Sequence, residues 1–200
     1  MASKVSRLCE QCTGPMPITA RSHAVTCSPR CRQARSRAAR LPSELTSRDR
    51  WVRYTDRKVP LTVAGRAASS TNPATWSSYR AAVESTAGVG LGFVLNGDHV
   101  VCIDLDHCLT GGVLAPWAAN LLEQIPGTYI EVSPSGKGLH VWALGDVGRG
   151  RRCPVAGGGL VEIYGRGRYI TVTGNRYRSC PPRLAELPEV VARIAVDGLT

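Results

Sequence analysis

The sequence predicts an α+β fold: a mixed, mainly antiparallel sheet with a few helices, preceded by a small zinc finger. Three observations carry this. Short apolar stretches in which polar residues alternate recur from 51 to 173, separated by glycine-rich turns, the pattern of half-buried strands. Segments with a helical apolar period interrupt them at 71–86, 115–125 and 181–196. Lastly, Cys9, Cys12, Cys27 and Cys31 form a CxxC pair and a CxxxC pair with fourteen residues between them. That spacing lets each pair clamp one edge of a closed tetrahedral zinc site.

From the N-terminus, GPMP and ARSHAVT between the cysteine pairs suit a tight turn and a short strand. Ser28-Pro29 then opens a helix that holds Cys31 in its first turn. Four thiolates fill the shell and leave His23 outside it. Disulfides are the alternative, but no leader-like segment precedes the cysteines and no apolar run reaches membrane-spanning length. The expectation is a cytoplasmic chain with reduced thiols and no membrane partner. Residues 1–40 are expected to form the finger and its basic helix, the polar stretch LPSELTSRD (41–49) a linker, and 50–200 the main domain. Two hundred residues suffice for one substantial core plus a metal-held appendage.

Within 50–200, WVRY and KVPLTV read as short strands. TNPATWSSYRAAVEST reads as a capped helix with Trp76, Tyr79 and Ala82 or Val83 on one face. GLGFVL and HVVCIDLD read as strands joined by NGD, a hairpin signal. APWAANLLEQI is a helix, and TYIEVS and LHVWAL are strands on either side of a glycine turn. The arginines at 149, 151 and 152 and the glycines at 157–159 mark a long loop. GLVEIYG and RYITVTG read as a further strand pair, and PPRLAELPEVVARIAV as one or two helices interrupted at Pro188.

Charge is unevenly distributed. The formal net charge is +10, and residues 1–53 hold 11 Lys and Arg against 3 Asp and Glu. Arg30, Arg32, Arg35, Arg37 and Arg40 would cover the helix that follows the finger, with too few acids nearby to pair them. Single-stranded nucleic acid is the natural counter-charge; the alternative is a solvated basic face.

The chemistry centres on acids. Asp104 and Asp106 sit one residue apart in VVCIDLDHC, so both point to the same face of a strand. Two carboxylates in one small volume call for a proton or a divalent cation. Glu162, in an alternating run, offers a third oxygen ligand or else a strand-end acid facing solvent. Magnesium and manganese favour such oxygen sites and share them with substrate phosphates. Between the acids, Ser133, Ser135, Gly136, Lys137, Gly138 and His140 make a small cationic turn running into a strand. Its amides, hydroxyls and ammonium suit a triphosphate cradle, without Walker A spacing, although turns of this composition also serve as plain hairpins. Arg168, close after Glu162, is a candidate to neutralise phosphate. Thr171, Thr173 and Asn175 either line the nucleotide pocket or end a strand. Cys102 is expected to pack as an apolar residue, and Cys108 lacks a convincing activating base.

Taken in order, DxD at Asp104 and Asp106, the serine-glycine turn Ser135 to His140, and the acid Glu162 resemble the motifs of the archaeo-eukaryotic primase superfamily, in particular phage and plasmid primase-polymerase domains. The tail RYITVTGN is similar to the segment that follows the third acid in the phage branch, and the resemblance spans about residues 50–180. One departure stands out: many members carry aspartate where this chain has Glu162. The resemblance implies two packed α/β parts, one like an RNA-recognition-motif sheet. It implies two Mg or Mn ions on Asp104, Asp106 and Glu162, NTP or dNTP substrates, a single-stranded DNA template, and Lys58 and Arg66 facing template or nucleotide.

The function this supports is DNA primase or polymerase activity, a template-directed nucleotidyl transfer in phage or plasmid replication within the host cytoplasm. His140 is assigned a catalytic role on the triphosphate. Related phage proteins continue into a helical primase domain or a helicase; such parts belong either to a longer form of this chain or to a partner chain. Two other readings stay open: a non-catalytic zinc-finger DNA-binding or regulatory protein, and a metal-dependent nuclease using the same acids. Manganese with dATP separates the first, since a ligand stabilises only the state it binds; a requirement for triphosphates separates the second.

Overall fold

A computed structural model describes residues 7–10, 14–32, 41–155 and 157–196. The chain divides into two compact units, Met1–Arg40 and Leu41–Thr200.

In the small unit the Cys9 N–H donates to Gly14 O (2.9 Å), the Met16 N–H to Arg7 O (2.8 Å) and the Glu10 N–H to Val25 O (2.9 Å). A helical turn, α1 (residues 29–32), starts where Ser28-Pro29 predicts. The Ser28 hydroxyl accepts the Cys31 N–H at 3.1 Å, satisfying an amide that the first turn leaves without a helical partner. Arg30 and Arg32 are exposed on this turn. Arg35, Arg37 and Arg40 lie outside the described residues.

The large unit contains twelve strands among the described residues, in two principal sheets. The four-stranded sheet has the order β11 (Arg166–Val172), β3 (Gly90–Asn96), β1 (Trp51–Tyr54), β2 (Pro60–Leu61). The six-stranded sheet runs β12 (Ala185–Glu186), β8 (Leu139–Leu144), β4 (Val100–Asp106), β10 (Gly159–Tyr164), β9 (Arg151–Val155), with β7 (Ile130–Val132) also on β8. Every pair is antiparallel except β12 with β8. A small ribbon, β5 (Leu109–Thr110) with β6 (Val113–Leu114), follows β4.

Period-two alternation builds two cores on the six-stranded sheet. Val101, Ile103 and Leu105 of β4, with Leu139, Val141 and Ala143 of β8 and Val161 and Ile163 of β10, pack against α4 (Pro116–Glu123) and α5 (Pro188–Val196). On the opposite face Val100, Cys102, Trp142 and Tyr164 meet Trp51, Phe93, Leu95 and Ile170 of the four-stranded sheet, with Ala82 of α3 (Tyr79–Glu84). The Phe93 ring stands edge-on to both Trp51 and Trp142, centroids 5.2 and 5.8 Å apart, the arrangement aromatic quadrupoles prefer. Burial of these two faces is the main force holding the sheets together.

Several expectations need correction. β3 and β4 are not a hairpin, because the Asn96–His99 turn carries the chain from one sheet to the other. Gly97 and His99 take the positive φ values this crossing needs. The same holds for β10 and β11, where Gly165 marks the crossing. The loop expected around the arginines contains β9, which pairs with β10 in register Arg152 to Glu162. The helix expected over 71–86 splits into a 3-10 turn, Pro73–Thr75, capped by Asn72, and α3, capped by Ser78. Two caps so close make two short elements, and it is Ala82, not the half-exposed Val83, that faces the core. Of the last segment only α5 is helical, since Ala185 and Glu186 pair alongside β8.

The stretch 41–49 is part of the large unit. Ser43–Thr46 form α2, Leu45 is fully buried, and its carbonyl accepts the Trp51 indole N–H at 3.2 Å. Beside it, the nearly buried Arg50 stacks 4.6 Å above Phe93 and pairs with Asp98 at 2.7 Å, while Arg48 also pairs with Asp98. Two guanidinium groups therefore pin the crossing between sheets. Replacing Asp98 by Ala strands a buried cation, and we expect a loss of about 2 kcal/mol in urea unfolding, below the roughly 3–5 kcal/mol typical of fully buried pairs because Asp98 is partly wet. An unchanged unfolding midpoint would show that Asp98 does not stabilise the crossing.

Candidate active site

The registers bring the acids together. In the six-stranded sheet Glu162 lies directly opposite Asp104, Asp104 opposite His140, and His140 opposite Glu131. Directly opposed residues have Cβ atoms about 5 Å apart, so four strands contribute adjacent side chains to one row. One carboxylate oxygen from each of Asp104, Asp106 and Glu162 lies within 4.8 Å of the others. The row continues the face that carries Val100, Cys102, Trp142 and Tyr164. Its apolar end is covered by the four-stranded sheet, and its polar end is the site.

Asp104 is the strained member. Its Oδ1 is buried without a hydrogen-bond partner. Burial raises its pKa from the usual carboxylate range to about 6; His140 opposes that rise, while Asp106 and Glu162 add to it. Glu162 is better served, pairing with Arg152 and accepting the Tyr164 hydroxyl at 3.1 Å. Arg168 stacks 4.2 Å over the ring of Tyr164, the residue whose hydroxyl donates to this acid. A divalent cation fits this set: the ligands are hard oxygens, and an orphaned buried oxygen belongs to the cluster.

His140 is nearly buried, its Nδ1 3.4 Å from Glu131 Oε1 and its Nε2 3.9 Å from Asp104 Oδ1. Burial works against the charged ring, but the Glu131 hydrogen bond and the nearby carboxylates outweigh it and raise its pKa. Lys58 sits at a positive φ of 58° in the β1–β2 turn, where its charge acts on both Asp104 and His140. The Tyr169 hydroxyl donates to the Lys58 carbonyl and so ties that turn to β11.

The Ser133–Gly138 turn is more closed than its sequence suggests. The Gly136 N–H donates to Ser133 O (2.9 Å), Lys137 N–H to Ser135 Oγ (3.2 Å) and Gly138 N–H to Ser133 Oγ (3.2 Å). The amides expected to cradle an anion are thus engaged within the turn. The Ser135 hydroxyl is itself shared with the Lys137 N–H and with Ser133 Oγ at 3.1 Å, and the exposed Lys137 ammonium faces outward for a ligand. A Cβ on Gly138 would come within 2.8 Å of Leu105 O, so only glycine lets the turn lie against the end of β4. Arg66 closes an exposed turn with Thr62 and makes no ion pair with the acids among the described residues.

In the small unit one sulfur from each of Cys9, Cys27 and Cys31 lies within 4.8 Å of the others, and the Cys27 N–H donates to Cys9 Sγ at 3.3 Å. Cys12 lies outside the described residues. Three convergent thiols fit a soft-ligand zinc site. Burial pushes the Cys108 thiol up to about 12, away from the thiolate form that a nucleophile requires.

Three residues of the site escape sequence reasoning. Arg152 sits on a strand where the sequence predicts a loop. Tyr169 follows Arg168 and has no visible partner in the sequence. Glu131 is fully buried in TYIEVS, and an acid inside an apolar strand is the signal that could have found it.

Fold and site together define an α+β domain whose antiparallel sheet presents a carboxylate and histidine row ringed by cations, suited to divalent metals and phosphates. Comparison with known proteins narrows this. The family model described as Bifunctional DNA primase/polymerase, N-terminal, matches residues 14–190, and the chain belongs to that family. The DNA primase-polymerase of Nitratiruptor phage NrS-1 is 40% identical over 136 residues, 62% of this chain and 18% of the phage protein. The chain therefore spans less than a fifth of that relative's length. No helix of the described residues is long and apolar enough to cross a membrane.

The direction of the Asp104 shift has a measurable consequence. A raised acid pKa means that the folded state resists ionisation, so stability is intact below about pH 4 and falls as pH rises through about 6. Without added magnesium or manganese, Asp104→Asn should stabilise the protein by about 3 kcal/mol at pH 7.5, and the gain should vanish near pH 4. Equal melting temperatures for variant and wild type at pH 7.5 would contradict the assignment.

Proposed function

We propose that this chain catalyses template-directed nucleotidyl transfer, joining an incoming NTP or dNTP to a 3′ hydroxyl on a single-stranded DNA template. The observation that carries this is the convergence of Asp104, Asp106 and Glu162, with one buried oxygen unpartnered, next to a histidine and several cations. Family membership and the similarity to the phage primase-polymerase support the same reading.

Asp104, Asp106 and Glu162 would hold two magnesium or manganese ions, which supply activation of the attacking hydroxyl and neutralisation of the departing pyrophosphate. The protein's own groups hold the substrate. His140 presents Nε2 to a phosphate oxygen. Lys137 and Ser135 reach the triphosphate from the turn, with Ser133, Gly136 and Gly138 shaping it. Lys58 and Arg168 flank the acids and offset phosphate charge. Holding the triphosphate in line with the hydroxyl removes much of the entropic barrier to reaction.

The small unit is assigned a structural zinc held by Cys9, Cys12, Cys27 and Cys31, and a role in gripping template through Arg30, Arg32, Arg35 and Arg37. Lys58 and Arg66 are placed along the nucleotide or template path.

Two experiments test this. Primer extension on single-stranded DNA with manganese and dNTPs should be lost in Asp104→Ala while zinc content and folding persist; extension at the wild-type rate would refute the assignment. Arg30→Ala with Arg32→Ala should weaken single-stranded DNA binding and lower its logarithmic salt slope by about 1.4, because each phosphate neutralised on a single strand adds about 0.7 to that slope. An unchanged slope would remove the finger from the template path.

A further inference from the structure

Glu131 is the one carboxylate among the described residues that is completely withdrawn from water. An ionised carboxylate in such a place is costly unless donors surround it, and here they do. Oε1 accepts the Trp142 indole N–H at 3.2 Å and lies 3.4 Å from His140 Nδ1. Oε2 accepts the backbone N–H of Gly174 at 2.9 Å, that of Thr173 at 3.1 Å and the Tyr129 hydroxyl at 3.2 Å. These donors come from the start of β7, from β8 and from the segment that leaves β11, so one side chain joins parts of both sheets. Apolar side chains could fill such a junction at lower cost, and a joint alone does not explain the choice of an acid.

The position of His140 does. Glu131 stands opposite His140, and His140 stands opposite Asp104. With Nδ1 turned to Glu131, Nε2 faces the acid cluster at 3.9 Å from Asp104 Oδ1, beyond hydrogen-bonding distance and open to a third group. The ring is nearly buried, and Glu131 holds its Nδ1 side. We propose that Glu131 is a positioning residue, which clamps His140 Nδ1 so that Nε2 stays aimed at the place where the incoming triphosphate sits. This rests on the nucleotidyl-transfer reading above. The clamp is itself fixed by the Thr173 and Gly174 amides, so the aim of the ring depends on the end of β11 as well as on β7 and β8.

Glu131→Gln tests the clamp without changing its shape. A glutamine oxygen can keep the Thr173 and Gly174 amides, but the NH2 group then faces the Trp142 N–H donor and no longer offers His140 an anionic acceptor. By analogy with groups that orient metal ligands, the affinity for dATP in manganese, titrated without primer, should fall roughly tenfold. The KM for dATP in primer extension should rise by a similar factor, and kcat should change less. In a His140→Ala background the same substitution should add no further loss, because its effect travels through the ring. Wild-type affinity in Glu131→Gln, or an equal further loss in both backgrounds, would overturn the proposal. Should Glu131→Gln not fold at the assay temperature, Glu131→Asp, which draws the carboxylate back by one methylene, gives the same comparison. Activity surviving in Asp104→Ala would instead overturn the nucleotidyl-transfer reading and the clamp with it; an unaffected Glu131→Gln beside an inactive Asp104→Ala overturns the clamp alone.

Discussion

Strand register is the constraint on which the rest depends. Four adjacent strands place Glu162, Asp104, His140 and Glu131 side by side, and Arg152 extends the row onto β9. Like charges directly opposed on a sheet are unfavourable, and Asp104, between Glu162 and His140 and two residues from Asp106, bears most of that cost. The sheet tolerates it because the other face of the same strands is apolar. A slip of one residue would exchange Asp104 and Asp106 with Ile103 and Leu105, putting carboxylates against α4 and α5. The apolar core thus holds the acids in a position that they would not adopt unaided.

The same face of the six-stranded sheet serves two ends. Val100, Cys102, Trp142 and Tyr164 are buried beneath the four-stranded sheet, and the residues next along the strands emerge as the reactive row. Connections between the sheets lie at both levels. Arg48, Arg50 and Asp98 pin the crossing at residues 96–99, and Glu131 gathers the amides that follow β11. Side chains anchored this way lose little freedom when a ligand arrives, which lowers the entropic cost of binding.

Period-two alternation makes the pairing of Asp104 with Asp106, and the shared face of Glu162 and Tyr164, legible in the sequence. It says nothing about which strand lies beside which. Asn96-Gly97-Asp98 has hairpin chemistry, yet β3 already has β1 and β11 as neighbours and β4 has β8 and β10, so the turn becomes a crossing. Glu131 is illegible for a related reason. Its Thr173 and Gly174 partners lie 42 and 43 residues away, and without them a strand acid reads as solvent-facing. LPSELTSRD reads as a linker because its polar letters outnumber Leu45, the residue that buries. The Ser133–Gly138 turn is recognisable by composition, but its amides close on the serines, which composition does not show.

Anomalous diffraction from crystals grown with manganese and a non-hydrolysable dNTP tests the central claim most directly. Manganese peaks are expected within direct coordination reach of carboxylate oxygens of Asp104, Asp106 and Glu162, with the triphosphate between them and the Lys137 and His140 side chains. Manganese bound elsewhere, with these three acids apart and facing only solvent, would contradict that claim.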